Sequence, residues 1–195
     1  MNNRIFELQR TTAETDVTLR LDPDGAGRSS IATGLGFLDH LLASLARHAG
    51  WDLDLTCKGD LHVDDHHTAE DCALLLGRAL CEVTARKPAV ARFGWARVPM
   101  DEALADVAVD LGGRPWAEVA LGLERPTIGD MACENVTHAL VTLAMEGRFN
   151  LHVDVQRGRN DHHRAEAAFK ALALALRAAL AVTDGPVRST KEVLG

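Results

Sequence analysis

The sequence has no tyrosine, few aromatic residues and no Cys-x-x-Cys pair among its four cysteines. Cysteines at isolated positions indicate small buried residues or free thiols, and not a disulfide framework. Basic residues are outnumbered, with a net charge of −7, which argues against a general nucleic-acid binder because neutralising phosphates needs a basic face. The most apolar stretch, residues 165–182, contains Glu166, Lys170 and Arg177, which excludes a membrane span.

The first residues, Met-Asn-Asn-Arg, are polar and contain no apolar secretory signal region. Together with the unpaired cysteines, this predicts a cytoplasmic protein with neither a membrane nor a nucleic acid as partner. The chain has 195 residues, 47% of them hydrophobic, which is sufficient for one hydrophobic core.

What the sequence does contain is one motif written twice, Asp-His-His-x-x-Glu. It occurs at 65–70 and again at 161–166, each time before an apolar run typical of a helix. In such a helix Glu70 lies on the same face as His66 and His67. Adjacent histidines, however, project roughly 100° apart around a helix. They cannot easily bind one ion together, so we expect each to serve a different ion, with ligands completed from elsewhere.

A further histidine precedes each copy at a similar distance, His40 before His66 and His138 before His162. A lone His-His pair is more often a surface feature, but two equivalent sets favour metal binding. The predicted metal ligands are His40, His66, His67, Glu70, His138, His162, His163 and Glu166. Imidazole and carboxylate without thiolate suit a divalent ion such as Mn, Fe or Zn.

Both halves contain strands, a histidine-bearing helix, another strand and a helix opened by His-His. This order predicts an α+β fold with an internal duplication, residues 1–90 and 91–195, which together form one compact domain. Each half is expected to have a mostly antiparallel or mixed sheet and two helices, with the helices packed between the two sheets. Asp65 is predicted to cap the helix that begins at His66.

The two copies differ in one cation. Lys170 follows Glu166 by four residues on the same helical stripe, whereas Leu74 follows Glu70. This predicts an anion pocket beside the metal centre, built from Lys170 with Arg92 or Arg114, which lie beside glycine or proline at turns. Any one of these basic residues alone is more often a solvated surface charge.

The motifs resemble the imidazoleglycerol-phosphate dehydratase family over nearly the whole chain. The matching stretches are Arg10-Thr-Thr-Ala-Glu14-Thr, Gly36-Phe-Leu-Asp-His40, residues 59–71, Arg92-Phe-Gly94, residues 99–104, Gly113-Arg-Pro115, Asn160-Asp-His-His163, Phe169-Lys170-Ala171 and Ser189-Thr-Lys191. The resemblance implies a carbon–oxygen lyase of L-histidine biosynthesis. Its expected reaction is the Mn-dependent dehydration of D-erythro-imidazole glycerol phosphate to imidazole acetol phosphate and water.

The resemblance also implies an assembly of about 24 subunits with active sites at subunit interfaces and two Mn²⁺ in each site. It assigns the eight predicted ligands to these ions and acid–base chemistry to Glu14. The catalytic set is then Glu14, Glu70 and Glu166. The residues expected to bind the substrate and its phosphate are Glu14, His40, Arg92, Arg114, Lys170, Ser189 and Lys191.

Two alternatives remain open on the residues alone. A non-catalytic metal-storage assembly needs only the histidines, and the unmatched cation at Lys170 disfavours it. A two-metal phosphohydrolase also combines metals with a phosphate pocket, and the scarcity of carboxylate ligands disfavours it. Only the resemblance separates hydrolysis from dehydration, and a phosphate-release assay distinguishes the two reactions.

Overall fold

The computed structural model describes residues 4–85, 89–186 and 189. The first half contains β1 (Phe6–Thr11), β2 (Thr15–Asp22), β3 (Ser29–Ala32), α1 (Gly36–Ala49), β4 (Asp52–Gly59) and α2 (His66–Ala85). The second half contains β5 (Phe93–Met100), β6 (Ala103–Asp110), β7 (Trp116–Ala120), β8 (Thr127–Ile128), β9 (Met131–Ala132), α3 (Cys133–Glu146), β10 (Asn150–Arg157) and α4 (Asp161–Ala179).

Each half forms one four-stranded sheet with the same topology. The strand orders are β1-β2-β4-β3 and β5-β6-β10-β7. In each sheet the first three strands are antiparallel, and the last, β3 or β7, pairs parallel with its neighbour. The short hairpin β8–β9 is an addition of the second half. The predicted α+β fold with an internal duplication is confirmed.

The four helices within the described residues form two layers between the sheets. Helices α1 and α2 cover the first sheet and α3 and α4 the second, and the helices then pack across the halves, α1 on α4 and α2 on α3. Alternate residues such as Val17 and Leu19 in β2 and a stripe of leucines in α1 supply the core. Burying each large apolar side chain stabilises the fold by about 1.5–3 kcal/mol. No helix of the described residues is long and apolar enough to cross a membrane.

Close contact between α4 and the second sheet depends on Gly94 in β5. A Cβ atom there would lie 1.9 Å from the carbonyl oxygen of Ala175, far inside van der Waals contact. Only glycine therefore lets this helix lie directly on the strand.

The predicted cap of α2 is wrong. The backbone N–H of His66 donates to Oδ1 of Asp64 at 2.8 Å, while Asp65 Oδ2 accepts the N–H of Ala132, just before α3, at 2.8 Å. The Asp65 carboxylate reaches the other half instead of capping its own helix. In the same way, Asp130 of the second half accepts the N–H groups of Gly36 and Phe37 at the start of α1. These bonds tie the helix ends of the two halves together.

Candidate metal centre

Helix packing across the halves brings His66, Glu70 and His138 together. His66 and Glu70 lie one turn apart at the start of α2, and His138 faces them from α3. Nε2 of His138 is 3.0 Å from Oε1 of Glu70, and Nε2 of His66 is 4.0 Å from Oε2 of the same glutamate. The His66 and His138 rings are stacked with centroids 4.8 Å apart. We call these three residues the first metal group.

The second metal group is the counterpart on the other helix pair. It consists of His162 and Glu166 at the start of α4 and His40 in α1. Oε2 of Glu166 lies 3.3 Å from Nε2 of His162 and 3.5 Å from Nε2 of His40. Each group therefore combines two ligands from one half with one histidine from the other, and neither half contains a complete group.

The geometry of both groups fits a divalent ion. Donors at about 2.0–2.2 Å from one ion are roughly 3–4.4 Å apart. The distances from the histidine nitrogens to the glutamate oxygens, 3.0 to 4.0 Å, fall in this range. Nδ1 of His66 lies 3.0 Å from the side-chain oxygen of Asn135, so it can carry the ring proton and leave Nε2 free to bind the ion.

His67 and His163, which directly follow His66 and His162, lie outside these two groups; we call them the outer histidines. Nδ1 of His67 is 3.0 and 3.2 Å from the two carboxylate oxygens of Asp60. Nδ1 of His163 is 2.8 Å from Oε2 of Glu102. Each carboxylate raises the pKa of its histidine through this hydrogen bond.

Glu14 lies at the tip of the β1–β2 hairpin, close to an outer histidine. Its Oε1 is 3.6 Å from Nε2 of His67. The hairpin is fixed by the hydroxyl of Thr12, which accepts the N–H groups of Glu14 and Thr15 at 3.1 Å. The buried carboxylate of Asp71 in α2 holds its base by accepting from Arg10 and Thr15. Glu14 is therefore an exposed carboxylate on a well-held turn.

Lys170 contacts the second metal group directly. Its Nζ lies 2.9 Å from Oε1 of Glu166 and 3.3 Å from the sulfur of Met100. Burial opposes ionisation of Glu166, but the hydrogen bonds and charges of Lys170 and His40 together hold the pKa of Glu166 below its ordinary value. Lys170 therefore lies beside the second metal group, where the sequence predicted a cation.

Arg92 and Arg114 lie elsewhere within one chain. Arg92 precedes β5 with a positive φ of 72° and is paired with Asp110 at 2.7 and 3.1 Å. The backbone N–H of Arg92 donates to the carbonyl oxygen of Ala179. Ala179 is about 20 Å along α4 from Glu166. Arg114 precedes β7 at the same end of the sheet, where its carbonyl accepts from Asn150. Neither arginine reaches the metal groups of its own chain.

Two further predicted phosphate ligands lie near the C-terminal end. Ser189 is partly buried, and Lys191 lies outside the described residues.

Sequence reasoning did not assign Asp60, Glu102 or Asn135 to the site. Asp60 and Glu102 lie inside stretches 59–71 and 99–104, which resemble the family, and this resemblance could have indicated them. Asn135 is buried three residues before His138 and carried no such signal.

Comparison with known proteins identifies the family of the chain. The family model described as imidazoleglycerol-phosphate dehydratase matches residues 33–176. The dehydratase of Methanothermobacter thermautotrophicus is 53% identical over 182 residues, covering 93% of each protein. That of Phytophthora nicotianae is 51% identical over 98% of this chain, which spans only 42% of that longer protein.

A solved structure extends the likeness to the fold. The crystal structure of imidazoleglycerol-phosphate dehydratase from Staphylococcus aureus subsp. aureus N315 superposes with a TM-score of 0.84 at 36% identity, covering 92% of this chain and 99% of that one. The matched sequence and the shared fold lead to one conclusion: the chain belongs to the imidazoleglycerol-phosphate dehydratase family of hydro-lyases.

Proposed function

We propose that this chain dehydrates D-erythro-imidazole glycerol phosphate to imidazole acetol phosphate and water in L-histidine biosynthesis, with two Mn²⁺ in each active site. Residues 1–90 and 91–195 are the half-repeats that supply the site. The proposed location is the cytoplasm.

The observation that carries the proposal is the pair of metal groups, each of two histidines and one glutamate. Both are assembled across the halves of a chain that belongs to a dehydratase family. Imidazole and carboxylate donors without thiolate suit Mn²⁺. When bound, the ions supply Lewis acidity that stabilises negative charge developing on the substrate.

The reaction needs a proton-transfer group and an anchor for the phosphate. A carbon-bound hydrogen leaves as a proton, the hydroxyl on the carbon next to the ring leaves as water, and the enol that forms tautomerises to the ketone. Glu14 is exposed beside His67 and is the proposed acid–base group. Lys170 offers a cation to the phosphate through charge-assisted contacts.

We further propose that each active site is completed by other copies of the chain in an assembly of about 24 subunits. Two placements support this. The outer histidines face away from the metal groups of their own chain, and Arg92 and Arg114 lie at the far end of the second sheet. A neighbouring copy is the simplest source of both the missing ligands and the missing cations.

The exposed aromatic residues of the second sheet also support self-association. Phe93, Trp95 and Trp116 are 57%, 77% and 59% exposed. Phe93 and Trp95 lie two residues apart on the edge strand β5, and Trp116 lies on the opposite edge strand β7 in the same cross-strand row as Phe93. Exposed aromatic side chains on one face of a sheet are typical of interaction surfaces.

The test is a dehydratase assay on purified protein, after chelation and after Mn²⁺ is returned. We expect activity only with the metal and without release of inorganic phosphate. Phosphate release in place of ketone formation would indicate a phosphohydrolase, and bound Mn²⁺ without turnover would indicate metal storage.

A mixing experiment tests the shared site. Arg92→Ala and His162→Ala variants, each inactive alone, are dissociated, mixed in equal amounts and reassembled. If the arginine and the metal group of one site come from different chains, about a quarter of the sites regain both intact parts. Activity that stays at the level of the separate variants would mean that a single chain supplies both.

A further inference from the structure

Two carboxylates, Asp60 and Glu102, make the same contact with the two outer histidines. Asp60 shares both oxygens with Nδ1 of His67 at 3.0 and 3.2 Å. Glu102 gives one oxygen to Nδ1 of His163 at 2.8 Å. The remaining ring nitrogen, Nε2, is turned toward the hairpin tip of the same half, 3.6 Å from Glu14 in one case and 3.8 Å from Asp101 in the other.

The two carboxylates come from positions that the duplication does not relate. Asp60 is the first residue after β4, and the first residue after β10 is Gly158. Glu102 belongs instead to the β5–β6 hairpin, 61 residues before His163. A contact copied with the duplication would use equivalent positions in both halves. Because the same contact is made from unrelated positions, we infer that each outer histidine requires a carboxylate at its Nδ1.

The physical effect of the contact is to fix one tautomer of the ring. In the neutral ring, Nδ1–H donates a hydrogen bond to the carboxylate, and Nε2 then carries the lone pair. The hydrogen bond also fixes the rotation of the ring and makes Nε2 a stronger donor to a metal ion. His66 receives a weaker version of this arrangement from the neutral oxygen of Asn135.

We propose that Asp60 and Glu102 are positioning residues that hold His67 and His163 ready to donate Nε2 to Mn²⁺ bound by another copy of the chain. The inference rests on the proposed function, in which the outer histidines complete metal sites between subunits. Glu102 is the more firmly held of the two. Its other oxygen accepts the N–H groups of Arg159 and Asn160 at 3.0 and 2.8 Å, which anchors the carboxylate against the turn before α4.

The experiment measures Mn²⁺ affinity by competition with a fluorescent chelator in Asp60→Asn and Glu102→Gln. We expect each to weaken Mn²⁺ binding by about 10–100-fold, the usual effect of losing an outer partner of a ligating histidine. Particle mass by light scattering at limiting Mn²⁺ should fall in parallel. Asp54→Asn on β4 and Glu7→Gln on β1 are matched controls, because both remove an exposed carboxylate from the outer face of the first sheet.

A purely structural role would have a different signature. It would lower the melting temperature of the chelated protein and leave the rise on adding Mn²⁺ unchanged. A positioning role leaves the chelated protein close to wild type for Asp60→Asn and reduces the rise. Glu102→Gln also removes the charge that accepts two backbone N–H groups, which by itself can lower the melting temperature. For that variant the deciding quantity is therefore the rise in melting temperature on adding Mn²⁺.

Variants of the histidines separate this inference from the function it rests on. If His67→Ala and His163→Ala keep wild-type Mn²⁺ affinity and particle mass, the ligand assignment in the proposed function fails. If they lose Mn²⁺ while Asp60→Asn and Glu102→Gln keep it, only the positioning role is overturned.

Discussion

The two metal groups use the same ligand types in the same arrangement but differ in their electrostatic surroundings. Glu70 in the first group is 37% exposed, and a leucine follows it one turn later in α2. Glu166 in the second group is 10% exposed and paired with Lys170 at 2.9 Å. The two copies share the candidate ligands, but only the second has a cation one turn after the glutamate. That cation suits a phosphate ligand but competes with a metal ion for the glutamate.

The hairpin tips of the two halves also carry similar carboxylates in different surroundings. Glu14 and Asp101 each lie near Nε2 of an outer histidine, at 3.6 and 3.8 Å. Asp101 has a positive φ of 48°, and Glu14 extends from a turn held by side-chain hydrogen bonds. Each half therefore places a carboxylate near Nε2 of its outer histidine, but the two turns have different backbone conformations.

The largest expected effect separates these two carboxylates. Glu14→Gln should lower kcat by about 10²–10⁴-fold with a smaller change in KM, because it removes an acid–base group and keeps the shape of the side chain. Asp101→Asn should lower kcat by less than about tenfold. Steady-state kinetics on Mn²⁺-loaded protein measures both. Equal losses would mean that the halves are equivalent in catalysis, and an unchanged kcat in Glu14→Gln would remove Glu14 from the reaction.

Removing the ligand carboxylates compares the metal groups directly. Glu70→Gln and Glu166→Gln should each weaken Mn²⁺ binding beyond the roughly 100-fold upper range of an outer partner. The loss should be greater for Glu166→Gln, because the charge of Lys170 is then left unbalanced beside the ion. Titration calorimetry on chelated protein resolves the two losses. A larger loss in Glu70→Gln would contradict the electrostatic difference between the groups.

Exchanging the residue one turn after each glutamate tests the same difference with a smaller change. Lys170→Leu should tighten Mn²⁺ binding at the second group by about tenfold, and Leu74→Lys should weaken it at the first by a similar factor. Lys170→Leu should also raise KM, since the phosphate loses a cation. Lys170→Arg is the control that keeps the charge. Loss of Mn²⁺ in Lys170→Leu would mean that the lysine supports the metal group instead of opposing it.

Much of the fold was predictable because the duplicated pattern is strong. Apolar alternation indicated the strands, and the histidine motifs marked the starts of α2 and α4 within one residue. The candidate ligands His40 and His138 could be proposed because each recurs at a nearly matched distance before a His-His pair. These signals are local or repeated, so they survive in a single sequence.

What could not be predicted depends on contacts between distant segments. That His40 joins the second group and His138 the first follows from helix packing across the halves, which no spacing encodes. The Asp65 cap was wrong because that carboxylate bonds to Ala132 in the other half. Likewise, the separation of Arg92 from Lys170 becomes clear only when β5 is laid along α4.

The smallest expected effect concerns the caps of the two helices that carry the histidine pairs. Asp64 and Asn160 accept the N–H groups of His66 and His162 at 2.8 and 2.9 Å, two residues ahead in each case. Asp64→Ala and Asn160→Ala should each lower the free energy of unfolding by about 1 kcal/mol. Asp64→Ala should cost slightly more, because a negative charge at a helix N-terminus adds about 0.3–1 kcal/mol.

Urea unfolding of chelated protein measures this difference without a contribution from metal, and one fixed protein concentration keeps any contribution from assembly the same for all variants. Asp64→Asn is the control that keeps a hydrogen-bond acceptor and removes the charge, so it should lose only the charge contribution. Asp65→Ala should act differently from Asp64→Ala, because it breaks a bond between the halves instead of a cap. If Asp64→Ala has no effect while Asn160→Ala does, the two helices begin in different ways, and the motif repeats the ligands without repeating the cap.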